Sequence, residues 1–349
     1  MSALVFLGAT VAFAAEKPEK PESDFILQNT LPPSGYFELV FVHRAMGTEF
    51  QLIIWGDRAK NKESDLDAVA EEVFKGIDNL ESRISEWEQG TQIYLVNKRA
   101  AERPVTVAPD VMDMLLTAQR FYRESNGAFD MTVGPLVELW RNALKEKRIP
   151  SAEEIASAKE LVGFDKVMLD PENRSVRFAK PGMRLTTGGI GKGMAIDKAR
   201  QTLEFYGITR AIFHGGTSSI LALGAPPGEA GWKVVMENPY NSAGALAEVT
   251  LCNETMSCSG HVMYMTEIDG KKYGHILNPA TGMPVQGMLI TVAIGPSGTE
   301  TDALTKVFFV NGERAAEEYC SRHPEVRAIV VPDTGTEDLV LKRFNFGVK

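Results

Sequence analysis

The stretch Thr186-Thr-Gly-Gly-Ile-Gly-Lys-Gly-Met-Ala-Ile-Asp197 carries the densest chemistry in the chain. Gly188, Gly189, Gly191 and Gly193 lack a Cβ, so the backbone amides between them can face a ligand unobstructed. A strand is expected before the stretch, at 175–178, and a helix after it, running to Tyr206. A glycine turn between strand and helix joins unsatisfied N–H groups to the positive end of the helix dipole, which suits a phosphate or pyrophosphate. Lys192 adds a mobile charge at the same place. The spacing is neither G-x-G-x-x-G nor a Walker loop, because no Ser or Thr follows Gly191-Lys192. Taken alone, such a turn is more often structural than ligand-binding.

Other residues could complete such a site. Asp302 reads as a first-turn residue of a helix, with Thr305 one turn on. Hard divalent cations such as Mg²⁺ take oxygen ligands of this kind beside phosphates. The bland reading is an acidic residue that complements its own helix dipole. His275, beside a turn fixed by Pro and Gly, has the ring chemistry of a general base near neutral pH; a hydrogen-bonded core histidine fits equally. Asp130 lies between Phe129 and Met131, where a carboxylate must cap a backbone end or hold a ligand donor. Trp87 presents a rigid π-face for a planar ligand, or fills a core or rim position.

Several elements must position these groups. Tyr36–His43 and Phe50–Trp55 read as a hairpin with Met46 and Gly47 at its tip. A long amphipathic helix follows, with a capping box at Ser64 and Asp67 and apolar residues from Leu66 to Ile84 at helical spacing; it ends near Ser85-Glu-Trp87. Thr91–Asn97 leads to a short strand at Val105–Val107, and Pro109 opens a helix that stops at Asn126-Gly127. A second capping box, Ser151–Glu154, opens a helix closed by Gly163, and Val167–Leu169 pairs with Ser175–Phe178 as a hairpin. Strands are expected at Ala211–Phe213, Trp232–Met236, Met288–Ile294 and Ala328–Val331, and Thr301–Val310 opens a helical pair broken at Asn311-Gly312. Strict βαβ alternation is missing, which favours an α+β fold.

Composition narrows the function classes. The 349 residues are 44% apolar and 24% charged, ordinary for a globular protein. The formal net charge of −9, without a basic stripe interleaved with aromatics, argues against nucleic acid as partner. No apolar run reaches the length of a membrane span. Ala3–Ala14 is an apolar run ending in Ala12-Phe13-Ala14, a leader-cleavage pattern without the usual basic start. The expected organisation is therefore a leader at 1–14, a solvated linker at 15–34 and a single domain at 35–349, in an exported, periplasmic protein. No Cys adjoins the cleavage pattern, so a lipid anchor is not expected. Cys252, Cys258 and Cys320 are an odd set, read as buried thiols.

Taken together and in order, these pieces resemble the ApbE family, the FAD:protein FMN transferases. They are Met46-Gly-Thr48, Ser85-Glu-Trp87, Gly127-Ala-Phe-Asp130 with Gly134-Pro-Leu136, Gly188–Gly193 with Asp197, Gly215-Gly216, Ser257–Gly260, His275–Gly282 with Pro284, and Asp302-Ala-Leu304. The resemblance spans roughly residues 36 to 340 and implies a two-lobed, T-fold-like α+β architecture of mixed sheets and packed helices with a central FAD cleft. It implies that Met46, Trp87, Ala128, Phe129, Asp130, Thr186 and Ile276 contact the flavin nucleotide, and Lys192 its phosphates. The Gly189 carbonyl and Asp302, with Thr305, would hold Mg²⁺. His275 would take the proton of a Ser or Thr hydroxyl on a partner redox or respiratory flavoprotein, that oxygen would attack the FMN phosphate, and AMP would leave. Thr186 stands where the family usually has an acidic residue, and Lys306 where it has a Thr metal ligand. An ammonium only donates and cannot ligate a metal, so Lys306 would bring charge to the phosphates instead. These departures leave FAD hydrolysis to FMN and AMP, or flavin binding without catalysis, as alternatives. No Gly-Ala-Ser or Gly-Ala-Thr segment occurs, so self-modification is not expected.

Overall fold

The computed structural model describes residues 25–27, 32–260, 265–336 and 338–347. The expected leader, most of the linker and His261 lie outside the described residues.

An eight-stranded sheet forms the centre, and its spatial order is the chain order. Tyr36–Ala45, Thr48–Asp57, Ala211–Gly215, Ser219–Leu223, Glu254–Gly260, Met288–Gly295, Arg327–Pro332 and Lys342–Phe344 lie side by side. Every neighbouring pair in it is antiparallel. One insertion in this meander, between Leu223 and Glu254, carries Trp232–Asn238 and Asn241–Leu251, which with Phe25–Leu27 form a three-stranded sheet. Two further long insertions bear on the site. One, between Asp57 and Ala211, carries six helices: α1 Glu63–Ile84, α2 Gln92–Arg99, α3 Pro109–Glu124, α4 Gly134–Lys145, α5 Ala152–Lys159 and α6 Gly191–Phe205. The other, between Gly260 and Met288, carries His275. A seventh helix, α7 Gly298–Arg322, links the last long strands and breaks its helical backbone at Gly312 (φ 76°, ψ −166°), as expected.

Burial explains the layers. Met288–Gly295 is buried at every position, because α7 covers one face of the sheet and a three-stranded sheet covers the other. A strand covered on both sides reads as an unbroken apolar run rather than an alternating one. α1, α6 and α7 form the helical layer. α1 turns Leu66, Val69, Val73, Ile77, Leu80 and Ile84 inward at helical spacing. Fully burying side chains such as Phe213 or Ile77 is worth roughly 1.5–3 kcal/mol each. A third apolar cluster, with Leu136 and Trp140 of α4, holds Tyr273 and Leu277 of the second insertion.

The α+β expectation holds, and both expected hairpins form in register. Four local expectations change. α1 begins at Glu63 without a side-chain cap; Glu63 and Asp65 instead set negative charge against the helix dipole, so the Ser64–Asp67 box does not form. Thr91 caps a helix, α2, through the Tyr94 amide (3.3 Å), where the sequence suggested only a connection. α7 begins at Gly298, so Asp302 is not in its first turn. Cys258 and Cys320 are buried as expected, but Cys252 is exposed, and no disulfide joins the three.

Candidate active site

The glycine loop is built by what surrounds it. Leu185, entering the loop, is clamped by Asn97 of α2. The Asn97 amide donates to the Leu185 carbonyl at 2.9 Å and accepts from the Leu185 N–H at 2.7 Å. Next, the Thr186 N–H donates to the Met131 carbonyl (2.8 Å) and the Thr187 N–H to the Glu86 carboxylate (2.6 Å). Burial pushes the Glu86 carboxyl up, opposed by hydrogen bonds from the Thr186 side chain and the Thr187 amide and by the nearby Arg184 and Arg141 charges.

α6 and α7 then cross glycine on glycine. A Cβ on Gly193 would overlap the Gly298 carbonyl, and one on Gly298 would come within 2.6 Å of the Gly193 carbonyl. None of the four loop glycines has a positive φ; their value is the absent side chain, not a left-handed backbone. At the crossing each helix start is capped by a carboxylate of the other. Asp302 Oδ2 accepts the Gly193 N–H at 2.9 Å. Asp197 accepts the Gly298 and Thr299 amides at 2.6 and 2.9 Å and the Ser297 and Thr299 hydroxyls at 2.9 and 2.7 Å. The Gly191 N–H is also engaged, by the Thr187 carbonyl at 2.8 Å. The helix start therefore offers an anion fewer amides than the sequence suggests. The Gly188 amide reaches only Thr186 Oγ1, at 3.5 Å, and among the described residues the Gly189 amide has no hydrogen-bond acceptor.

Asp302 is 1% exposed, and its other carboxylate oxygen, Oδ1, is held by the Lys306 ammonium. The same ammonium donates to the Asp302 carbonyl at 3.0 Å. Lys306 also lies beside the loop, with its Cε 3.9 Å from a Cβ placed on Gly189. Thr305 turns to the sheet. Its hydroxyl donates to the Asp302 carbonyl (2.7 Å) and pairs with Ser259 (2.8 Å). These residues do not fit a Mg²⁺ ion. Both Asp302 oxygens are engaged, the Thr305 hydroxyl is buried, and the described residues contain no cluster of three acidic, His or Cys side chains that could hold a metal. Two unit charges 4 Å apart repel by about 4 kcal/mol at an effective dielectric of 20. A divalent ion beside the ammonium would meet about twice that.

The flanking candidates do not share one role. Phe129 is buried, and its ring lies 3.2 Å from a Cβ placed on Gly189, so it forms the loop's floor beside buried Ala128. Asp130 serves the backbone-capping reading: its Oδ1 accepts from the Thr132 N–H (2.8 Å) and hydroxyl (2.7 Å). Burial pushes the Asp130 carboxyl up to about 6. Trp87 is 55% exposed, with the Arg141 and Arg184 guanidiniums 4.6 and 4.7 Å from its ring centre. Met46 (φ 50°) and Gly47 (φ 70°) form the two-residue hairpin turn, and the Gly216 N–H donates to the Glu49 carbonyl (2.7 Å), which joins the Met46-Gly-Thr48 and Gly215-Gly216 motifs.

His275 and Ile276 belong to the segment held on α4. There the Trp140 indole donates to the Gly282 carbonyl at 2.7 Å, and its ring packs 5.6 Å from that of Tyr273. Ile276 is buried, and its carbonyl accepts from Val285 (2.9 Å). His275, between these anchors, is exposed, which removes the core-histidine reading. Lys192 is half-buried in the first turn of α6.

Sequence reasoning assigned no role to Asp197, Glu86, Arg141 or Arg184. Asp197 and Glu86 stood inside quoted motifs, but their capping of distant amides needs the tertiary pairing to be seen. The two arginines carry no local pattern at all.

Fold and site define an antiparallel α+β protein with a glycine turn at a helix start, two lysines beside it and an exposed histidine on a separate arm. The ApbE family model matches residues 46–330, and the chain belongs to the ApbE family. A protein of Klebsiella pneumoniae named FAD:protein FMN transferase is 28% identical over 79% of this chain and 85% of its own length. Its namesake in Haemophilus influenzae is 26% identical over 84% and 86%. Among solved structures, the ApbE protein of Thermotoga maritima superposes with a TM-score of 0.76 at 25% identity, over 88% of this chain and 97% of that one. The apo flavinyl transferase ApbE of Pseudomonas stutzeri gives 0.77 at 22% identity, over 90% and 98%.

Proposed function

We propose that this protein transfers FMN from FAD to a Ser or Thr hydroxyl of a partner redox flavoprotein and releases AMP. The observation that carries this reading is the assembly of the glycine loop, Phe129, Asp302 and Lys306 into one corner, in a chain whose curated relatives bear the name of that activity. The loop, with Lys192 and Lys306, receives the diphosphate. Trp87, exposed beside the Glu86 anchor, covers the flavin side.

The step is an in-line displacement at the FMN phosphorus. A bond forms from the acceptor oxygen to phosphorus, the bond from phosphorus to the AMP oxygen breaks, and its electron pair leaves with AMP. The imidazole of His275 takes the hydroxyl proton. Lysine charge near the diphosphate stabilises the leaving oxygen without itself reacting. Since both Asp302 oxygens are engaged and the corner does not fit Mg²⁺, the lysine ammonium groups neutralise the diphosphate. The leader-like 1–14 segment supports export to the periplasm as part of the same reading.

The test is incubation with FAD, with and without a Ser/Thr-containing acceptor, followed by mass analysis. AMP together with FMN-bearing acceptor, formed only when both are present, supports transfer. AMP without acceptor assigns hydrolysis instead, and intact bound FAD assigns a binding role; either overturns the proposal.

A further inference from the structure

We propose that the Lys306 ammonium is this protein's resident cation for the diphosphate, standing where a divalent ion would otherwise bind, so that the flavin dinucleotide binds without metal. The inference rests on the reading of the loop as a flavin dinucleotide site and adds to it what neutralises the phosphates.

Three observations carry it. The ammonium is tied to the side chain and the main chain of one residue, Asp302, so its position is set by α7 rather than by a free rotamer. Asp302 is in turn held by the Gly193 amide, so one carboxylate ties the charge to the helix start that follows the loop. The lysine stem runs beside Gly189, next to exposed Gly188, where a Cβ would meet only Thr186 Oγ1 at 3.8 Å. An ammonium has three donors, and two here point at Asp302. The third is left for a phosphate oxygen. The Asp302 carboxylate thus acts as anchor for a lysine instead of as ligand for a metal. A site of this design has a second consequence. Replacing Lys306 by a residue without charge but with a hydroxyl frees one oxygen of Asp302 and adds a neutral oxygen beside it, which are the ligands a hard divalent cation takes.

The experiment is equilibrium titration of FAD, followed by flavin fluorescence, into the flavin-free full chain in excess EDTA and in millimolar Mg²⁺. The wild type, Lys306→Met and Lys306→Thr are compared, and the fold of each is checked by its melting curve. Wild-type affinity is expected to agree within about twofold between the two conditions. Lys306→Met is expected to lose roughly tenfold or more in both, as a charged phosphate contact is removed. Lys306→Thr is expected to lose affinity in EDTA and to regain it with Mg²⁺. Wild-type binding that requires Mg²⁺ overturns the inference and leaves the flavin site standing. Absence of FAD binding under both conditions overturns the flavin site and this inference with it. The wild-type comparison does not depend on either variant folding.

Discussion

Asp197 and Asp302 cap each other's helices: Asp197, on α6, accepts the Gly298 amide that starts α7, and Asp302, on α7, accepts the Gly193 amide in the first turn of α6. The exchange is possible because Gly193 and Gly298 let the two helix starts touch. It also shapes the chemistry. Carboxylates at both helix starts already complement the dipoles, so an incoming anion finds less positive field than an uncapped helix would give. Lys192 and Lys306 restore that charge.

Removing the first of these caps has a calculable effect. Asp197→Ala leaves two α7 amides and two hydroxyls without their shared acceptor. The predicted loss is about 1–2 kcal/mol, the usual range for a helix cap. Urea unfolding measures it, and an unchanged midpoint would show that the interhelical cap contributes nothing.

The glycine crossing makes a sharper contrast. Gly193→Ala drives a methyl group into the Gly298 carbonyl, a backbone atom with nowhere to go, and overpacking of this kind costs typically 1–3 kcal/mol. Gly188→Ala meets nothing closer than Thr186 Oγ1 at 3.8 Å, so its melting temperature should stay near that of the wild type. Equal melting temperatures for the two variants would refute the close-approach account of the loop.

His275 is exposed, so His275→Ala should change stability by no more than about 0.5 kcal/mol. FAD binding should persist. Transfer to the acceptor should fall by roughly 10²- to 10⁴-fold, the usual range for a lost general base. Transfer at the wild-type rate would remove His275 from the mechanism.

Asp130 gives a pH signature. Its carboxyl is raised from 3.8 to about 6 in the folded protein, chiefly by burial, so the folded state binds its proton more tightly than the unfolded state does. Its stabilising contribution is therefore complete below 3.8 and is lost as pH rises through about 6. Asp130→Asn keeps an acceptor for the Thr132 amide and removes the titration. Relative to that variant, the wild type should lose on the order of 3 kcal/mol across this window. Parallel stability curves for the two proteins would show that Asp130 does not titrate there.

Regular periodicity made the Tyr36–Trp55 hairpin, α1 and the Ser151 capping box legible before any coordinates, since each depends on near neighbours in sequence. The glycine loop was legible as a turn between a strand and a helix for the same reason. What escaped was long-range. Asp302 reads as a residue serving its own helix or a metal, because nothing local reveals that Gly193, 109 positions away, donates to it. α2 was missed because its eight residues bury only Ile93 and Val96, too few to set a period. The Ser64–Asp67 box had the right letters, but the helix starts at Glu63 and leaves Ser64 inside its first turn.

Titration of the flavin-free protein with FAD, with riboflavin and ADP as competitors, tests the loop's grip on a diphosphate most directly. Saturable quenching of flavin fluorescence is predicted, together with a rise in melting temperature that corresponds to about 2.7 kcal/mol once ligand reaches 100 times its dissociation constant. ADP should compete more effectively than riboflavin. Unaltered fluorescence and melting temperature, or displacement by riboflavin as effective as by ADP, would contradict it.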